Sequence, residues 1–227
     1  QGWWARRQVQ SKLRAQLHLL THAMNERPDQ RRPLFDAIAS LRSALESLAA
    51  DAPTPSSARG IEGAAARAYF QGYSALFPPA LHFTGRNRRP PRDPVNACLS
   101  LGYTLLHFDA VHAAHMAGLD PLLGFYHRPA FGRESLASDL IEPLRPHIDA
   151  WVWSLFRSRT LRAEHFSEDK DACLLQKAGR AIFYEGYEPI GRPLRRALQR
   201  QCRLLARAFR QQGEPLLEAG NDTEDWE

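Results

Sequence analysis

The sequence predicts an all-α protein, and three observations support this. Apolar residues recur every three or four positions over long stretches, which is the period of a helix with one buried face. Prolines, glycines and capping residues divide these stretches into segments of helix length. The chain shows neither convincing strand-type alternation nor an internal repeat. We expect a helical domain over 1–218 and a disordered acidic tail over 219–227.

The first two predicted helices form a pair. Their turn contains Pro28 and Asp29, and Pro33 lies in the first turn of the second helix, where proline is favoured. Each helix carries one apolar stripe, so we expect the two to pack antiparallel as a scaffold. The stripes consist of Val9, Leu13, Leu17, Leu20 and Met24 in the first helix and Leu34, Ile38, Leu41, Leu45 and Leu48 in the second.

The third and fourth predicted helices flank a basic loop. The segment 51–57, rich in proline and serine, precedes a helix that contains Glu62 and ends at a Pro-Pro pair. Asp93 is the predicted N-cap of the fourth helix, which has proline at its first position and Gly118 as its stop. The loop between the two helices holds Arg86, Arg88, Arg89 and Arg92.

The chain after the fourth helix is irregular until a helix begins near Ser135. Pro143 follows Glu142 and Pro146 follows Arg145, which disfavours regular helical geometry at Glu142 and Arg145. Helical signals dominate again over 146–158 and from 171 to about 210. The second half is therefore also predicted to be helical.

The composition is compatible with nucleic-acid binding. The 227 residues include 30 Lys and Arg against 25 Asp and Glu, a net charge of +5. Nearly all of the positive charge is arginine, which can bind phosphate with two N–H groups at once, although a GC-rich coding sequence explains the preference equally well. Three scattered cysteines suggest neither a disulfide framework nor a zinc site. Without an apolar span or a secretion signal, we expect a cytoplasmic protein that is not in a membrane.

Two distant segments carry metal-type ligands. Glu62 lies on the third helix, whereas His127, Asp139 and Glu142 belong to the run GFYHRPAFGRESLASDLIE. Asp139 and Glu142 are three residues apart and would share one helix face. One imidazole with two or three carboxylates suits Mg²⁺ or Mn²⁺ better than a closed zinc site. Phosphodiester chemistry is the usual work of such a site.

A rival set of ligands lies on the fourth helix. Two histidines and a carboxylate can bind zinc or iron, but no partner motif completes this set, and histidines are favoured near a helix C-terminus by the helix dipole. We interpret it mostly as an exposed helix face. The set consists of His107, Asp109, His112 and His115.

Four ordered segments of the chain resemble the CRISPR adaptation integrase family, that of the first-numbered Cas protein. The segment 61–70 contains a Glu-Gly-x-x-Ala-Arg-x-Tyr helix, and 124–142 contains a Gly-Phe-x-His turn followed by an Asp-x-x-Glu helix. The segment 92–106 is also similar, and 176–180 contains Lys-x-Gly-Arg. The resemblance runs from about residue 8 to about residue 211.

This resemblance implies a helical catalytic domain and a metal site. The family's N-terminal β-rich domain, which mediates homodimer formation, has no counterpart here, so we expect the chain to be part of a longer or fused polypeptide. Glu62, His127 and Glu142 would be the catalytic metal ligands for Mg²⁺ or Mn²⁺. Asp139 would support them from outside the coordination sphere or substitute for one of them.

The resemblance also implies a set of DNA-binding residues. Basic side chains would hold the DNA backbone near the ion, although the arginine loop could instead be only a solvated loop. Asn96 and Tyr103 could line the strand path or belong to a buried polar network. The set consists of Arg67, Arg86, Arg88, Arg89, Arg92, Asn96, Tyr103, Lys177 and Arg180.

The implied activity is insertion of short DNA segments into a CRISPR array. A 3′-hydroxyl of the incoming DNA would attack a phosphodiester at the repeat boundary, and water in its place would give nuclease activity. The implied partners are double-stranded DNA, a second copy in a homodimer, a dimer of the small CRISPR adaptation partner protein and a fused reverse transcriptase. Two alternatives stay open: a catalytically silent helical DNA-binding subunit, and a different all-helical metal-dependent nuclease.

Overall fold

The structure, a computed structural model, describes residues 2–50, 55–87, 89–127 and 130–220, without the side chains of 2–3, 55–56 and 213–220. Arg88 and residues 221–227 of the predicted tail lie outside the described residues. Short 3₁₀ turns join some of the helices and strands within the described residues. These elements are α1 (Gly2–Glu26), α2 (Arg31–Ala50), α3 (Pro55–Ser74), α4 (Pro94–Met116), α5 (Ser135–Ile141), α6 (Arg145–Arg157), β1 (Phe166–Asp169), β2 (Ala172–Leu175) and α7 (Lys177–Gly220).

The first three helices pack against one another, as the apolar stripes of α1 and α2 predict. Leu13 and Leu20 on α1 and Leu34 and Leu41 on α2 are all fully buried. The predicted turn between them is a 3₁₀ turn at 28–30. Helix α3 packs on both α1 and α2, and this contact fixes the position of the helix that carries Glu62.

Helix α4 runs through the second part of the core and contacts α5, α6, α7 and β2. The predicted start is confirmed, since the Asp93 carboxylate accepts a hydrogen bond of 2.8 Å from the N–H of Asn96 and proline follows Asp93. The helix ends at Met116, just before Gly118, which has a positive φ of 72°. Gly102 allows α6 to approach closely, because a Cβ there would lie 2.6 Å from Ile148 Cγ2.

A β-hairpin over 166–175 is the feature that the sequence did not reveal. Strands β1 and β2 pair antiparallel around a turn at Lys170, which has a φ of 55°, and the helix predicted from residue 171 begins only at Lys177. Strands of four residues are too short to display a clear alternation. The Cys173 N–H donates to the Pro91 carbonyl at 2.7 Å, so the hairpin is anchored beside α4. The domain nevertheless remains all-α in class.

The type of helix changes at Glu142. Helix α5 ends at Ile141, and Glu142–Leu144 forms a 3₁₀ turn before α6 begins at Arg145. Pro143 cannot donate a helical hydrogen bond, and the α-helix is interrupted there. The predicted departure from helical backbone angles is wrong, because Glu142, with φ −52° and ψ −46°, and Arg145, with φ −52° and ψ −41°, both stay in the right-handed helical region. Among the described residues, no helix is both long enough and apolar enough to cross a membrane.

Candidate metal centre and nucleic-acid interface

A lysine ammonium joins two of the predicted site residues. Lys12 Nζ on α1 lies 2.6 Å from Glu62 Oε1 on α3 and 2.7 Å from Glu142 Oε2 in the 3₁₀ turn after α5. The two carboxylates are 80 positions apart in the sequence, yet they face one cation. The structure therefore brings Glu62 and Glu142 together, with Lys12 between them.

The outer oxygens of both carboxylates also have partners. The Tyr126 hydroxyl donates to Glu62 Oε2, and Arg145 Nη2 lies 3.1 Å from Glu142 Oε1. Burial alone would raise the pKa of Glu142, but the charges of Arg145 and Lys12 outweigh it and lower this pKa to about 2. Glu142 is therefore ionised at neutral pH. Burial and the hydrogen bond to Glu62 raise the pKa of Tyr126, so its hydroxyl stays protonated as a donor.

Asp139 organises the turn that carries His127. Its Oδ2 atom accepts the N–H groups of Phe125 at 2.7 Å and Tyr126 at 2.9 Å, and its Oδ1 atom accepts that of His127 at 3.0 Å. Asp139 Oδ1 also lies 2.5 Å from His127 Nδ1. This bond leaves Nε2 as the imidazole nitrogen that could bind a metal, which is how a carboxylate commonly orients a histidine ligand. A Cβ at Gly124 would lie 2.9 Å from Asp139 Oδ2, so only glycine fits there.

The donor set suits a hard divalent cation, but it is not assembled around one point. Among the described residues, no three His, Cys, Asp or Glu side chains lie close enough to hold a metal ion as they stand. The two carboxylates already converge on a positive charge. Within the described part of the chain, no group gives buried Glu142 Oε2 a well-aligned hydrogen bond, so its contact with Lys12 is an ion pair. That oxygen is suited to a cation.

A buried aspartate that the sequence did not point to is linked to this centre through Tyr103 and Arg145. Asp149 on α6 accepts hydrogen bonds from the hydroxyls of Tyr69, at 2.7 Å, and Tyr103. Burial raises its pKa to about 6, although the two tyrosine hydrogen bonds lower it in part. The Tyr103 ring is contacted by two guanidinium groups, with Arg145 4.8 Å and Arg86 5.4 Å from the ring centroid. This network fixes Tyr103 and Arg145 relative to Glu142.

A basic cavity of about 1030 Å³ adjoins Glu142. Its wall includes Ile141, the residue before Glu142, and the exposed Phe131. Buried Arg145 Nε has no hydrogen-bond partner among the described residues. The charged and polar side chains of the wall include those of Arg86, Arg89, Tyr103, His107, Arg133 and Arg145.

The structure disperses the other predicted DNA-binding residues. Asn96 is fully buried; it accepts a hydrogen bond from Arg86 at 2.7 Å and donates to Asp93 at 2.6 Å. It therefore belongs to a buried polar network and does not line a surface path. Arg92 lines a separate cavity of about 210 Å³ beside the hairpin. Three other residues are exposed and do not line the basic cavity: Arg67, Lys177 and Arg180.

Two members of the rival ligand set on α4, His107 and Asp109, are engaged in other contacts, whereas His112 and His115 are exposed. His107 Nε2 lies 3.0 Å from Glu134 Oε2. Asp109 accepts a hydrogen bond of 2.8 Å from the Tyr187 hydroxyl and lies 3.6 Å from Arg195. The Asp109 contacts join α4 to α7, so they favour a structural role for this face.

Comparison with known proteins assigns the chain to a family. The family described as "CRISPR associated protein Cas1" matches residues 3–189. The chain belongs to the Cas1 family. It is 46% identical over 154 residues to "CRISPR-associated endonuclease Cas1 1" of Thermodesulfovibrio yellowstonii, a match that covers 67% of this chain and 48% of that protein.

Two further Cas1 relatives show how the domain occurs in longer proteins. A "CRISPR-associated exonuclease Cas4/endonuclease Cas1 fusion" of Rhodospirillum rubrum is 37% identical over 223 residues, which cover 90% of this chain and 38% of the fusion. A solved "Partial Cas6-RT-Cas1--Cas2 complex" matches with a TM-score of 0.79 and 26% identity, and covers 93% of this chain and 67% of that chain. The present chain thus spans less than half the length of the T. yellowstonii and R. rubrum proteins.

Proposed function

We propose that this domain is a metal-dependent DNA strand transferase of CRISPR adaptation. The observation that carries the proposal is the convergence of Glu62 and Glu142, from distant segments, on one positive charge beside a basic cavity. Glu62, Glu142 and His127 would hold Mg²⁺ or Mn²⁺. When bound, such an ion polarises the phosphate and stabilises the negative charge that develops on the reacting oxygens.

The chain's own residues hold the reacting groups in place. In the proposed reaction the 3′-hydroxyl of the incoming strand gives up its proton as its oxygen forms a bond to phosphorus. The bond from phosphorus to the departing 3′-oxygen breaks, and that oxygen takes up a proton. Arg89 and Arg145, which both line the basic cavity, would bind the DNA backbone. Asp139 positions His127, and Asp149 positions Tyr103. Water in place of the attacking hydroxyl would give strand cleavage.

The proposed partners follow from the relatives. The solved complex that resembles this domain contains Cas2 and a reverse transcriptase, as its name states. We infer that this domain acts on double-stranded DNA as part of a Cas1 homodimer, bridged by a dimer of the small adaptation partner. Fusion to a further enzyme, whether a reverse transcriptase or a Cas4 nuclease, fits the lengths of the relatives.

A joining assay with matched variants tests the proposed function. Labelled DNA with a free 3′-hydroxyl is incubated with repeat-containing DNA and Mn²⁺, and joined and cut products are separated by size. We expect Glu62→Gln, His127→Ala and Glu142→Gln each to abolish joining while circular dichroism stays unchanged. Glu46→Gln, on the exposed face of α2, is the control and should retain joining.

The products separate the alternatives. Full joining by Glu62→Gln would overturn the proposed role of that carboxylate. DNA binding without any product would favour a catalytically silent subunit. Cut strands without joined strands would favour a different metal-dependent nuclease.

A further inference from the structure

We propose that Lys12 is an internal cation that occupies the metal position in the metal-free protein and must leave before an ion can bind. The inference rests on the proposed metal site. Lys12 Nζ lies within 2.7 Å of an oxygen of both Glu62 and Glu142. The three side chains are only 13%, 17% and 9% exposed, respectively.

Electrostatics explains why a cation is needed there. Two carboxylates facing each other in a poorly hydrated site repel, and burying them without a counter-charge is costly. The Lys12 ammonium supplies that charge from α1, an element that carries none of the predicted ligands. It thereby keeps Glu62 and Glu142 in place while no ion is bound.

The same position cannot hold both cations. A Mg²⁺ ion binds carboxylate oxygens at about 2.0–2.1 Å, so an ion held by both Glu62 and Glu142 would need the space between them that Lys12 Nζ fills. The two positive charges would also repel each other. The outer oxygens stay with Tyr126 and Arg145, which can remain. Only Lys12, on a flexible stem of four carbons, has to move.

A permanent supporting role for Lys12 would have the opposite consequence. If the ammonium oriented the ligands around a bound ion, its removal would weaken metal binding. If it competes with the ion, its removal strengthens metal binding and destabilises only the metal-free protein. The sign of the change in affinity therefore decides between the two roles.

The experiment measures Mn²⁺ binding without DNA, by isothermal titration and by the thermal shift of the full chain. We expect Lys12→Met to lower the melting temperature without metal and to bind Mn²⁺ roughly tenfold more tightly, the factor that corresponds to 1.4 kcal/mol. Lys170→Met, in the exposed hairpin turn, is the control for loss of a lysine and should match the wild type. An affinity of Lys12→Met equal to or below that of the wild type would overturn the proposal.

Two further variants keep the test decisive. Lys12→Arg retains the positive charge and should bind Mn²⁺ no more tightly than the wild type; tighter binding would contradict competition even if Lys12→Met failed to fold. Glu62→Gln should abolish Mn²⁺ binding. If Glu62→Gln binds Mn²⁺ like the wild type, the metal site itself fails and the proposed function with it. If Glu62→Gln loses binding and Lys12→Met does not gain it, only the role of Lys12 fails.

Discussion

At the scale of single residues, Asp139 shows how one carboxylate can organise a functional turn. It accepts three backbone N–H groups and contacts His127 Nδ1, and its side chain is fully buried. A direct metal bond would require it to give up some of these hydrogen bonds. We therefore favour the supporting role for Asp139 and the ligand role for Glu142.

We predict that Asp139→Ala destabilises the protein by about 3 kcal/mol, because it leaves buried N–H groups without an acceptor. Urea denaturation measures this loss. Asp120→Ala is the control: Asp120 accepts the Leu122 N–H at an exposed position, so its loss should cost less than about 1 kcal/mol. A stable Asp139→Ala protein that no longer binds Mn²⁺ would instead make Asp139 a ligand.

The raised pKa of Asp149 predicts how the stability of the protein depends on pH. Its pKa is raised in the folded state from 3.8 to about 6, so the unfolded chain releases the proton at lower pH than the native protein does. Stability due to this group is complete below pH 3.8 and is lost as the pH rises through about 6. The loss is on the order of 3 kcal/mol.

The Asp149→Asn variant isolates this effect, because it cannot titrate there. Urea denaturation of both proteins between pH 4 and pH 7 should show the wild type losing stability relative to Asp149→Asn as the pH rises. A difference that is independent of pH would show that Asp149 ionises equally in both states.

Sequence reasoning reached some of these residues but not others. Glu62 and Glu142 belong to segments with a recognisable pattern. Lys12 and Asp149 carry no local signal, since their partners lie 50 or more positions away or are tyrosines on other helices. Only the packing of α1, α3, α4 and α6 brings such residues together.

At the scale of elements, helix boundaries were predictable where a cap or a proline marks them, as at Asp93 and Pro143. The hairpin was not predictable, because its strands have only four residues each and its hydrogen bond to Pro91 is a contact distant in the sequence. The sites where two helices cross closely could not be predicted from the sequence either. Whether a glycine in a helix is needed for packing depends on the neighbouring helix, which no local sequence reveals.

Replacing glycine with alanine on two different helices should change the free energy of unfolding in opposite directions. At Gly102 a Cβ would meet Ile148 at 2.6 Å, whereas nothing lies within 4 Å at exposed Gly60 on α3. We predict that Gly102→Ala lowers the free energy of unfolding by about 1–2 kcal/mol through overpacking between α4 and α6. Gly60→Ala should raise it by up to about 1 kcal/mol through helix propensity. Thermal and urea denaturation measure the stability of both variants. If Gly102→Ala and Gly60→Ala destabilised the protein equally, the packing argument would be refuted.

At the scale of the whole molecule, we expect the distribution of charge to matter more for DNA binding than the net charge. The net charge is only +5, but several arginines line one cavity next to Glu142. Within that cavity Arg86 has a structural task, since it donates to Asn96 and to Ser100. Arg89 and Arg133 are exposed, and we propose that they bind DNA phosphates together with Arg92, which follows Arg89 in the loop before α4 and lines the smaller cavity beside the hairpin.

Replacing these three exposed arginines tests whether position or net charge governs DNA binding. We predict that an alanine triple variant of Arg89, Arg92 and Arg133 binds DNA of unrelated sequences more weakly and about equally so. The dependence of log affinity on log salt should become shallower by roughly one unit for each phosphate that the variant no longer binds. The control replaces three exposed arginines of α2, Arg31, Arg32 and Arg42, which removes the same charge from another face.

The two triple variants have the same net charge, so binding driven by overall charge alone would weaken equally in both. Binding through the basic cavity and the loop before α4 predicts a shallower salt dependence only in the variant that lacks Arg89, Arg92 and Arg133. Fluorescence anisotropy of labelled duplex DNA at increasing salt gives both slopes. An unchanged slope in that variant would mean that these arginines are solvated side chains without phosphate partners, and the DNA path would then have to be sought on another face of the domain.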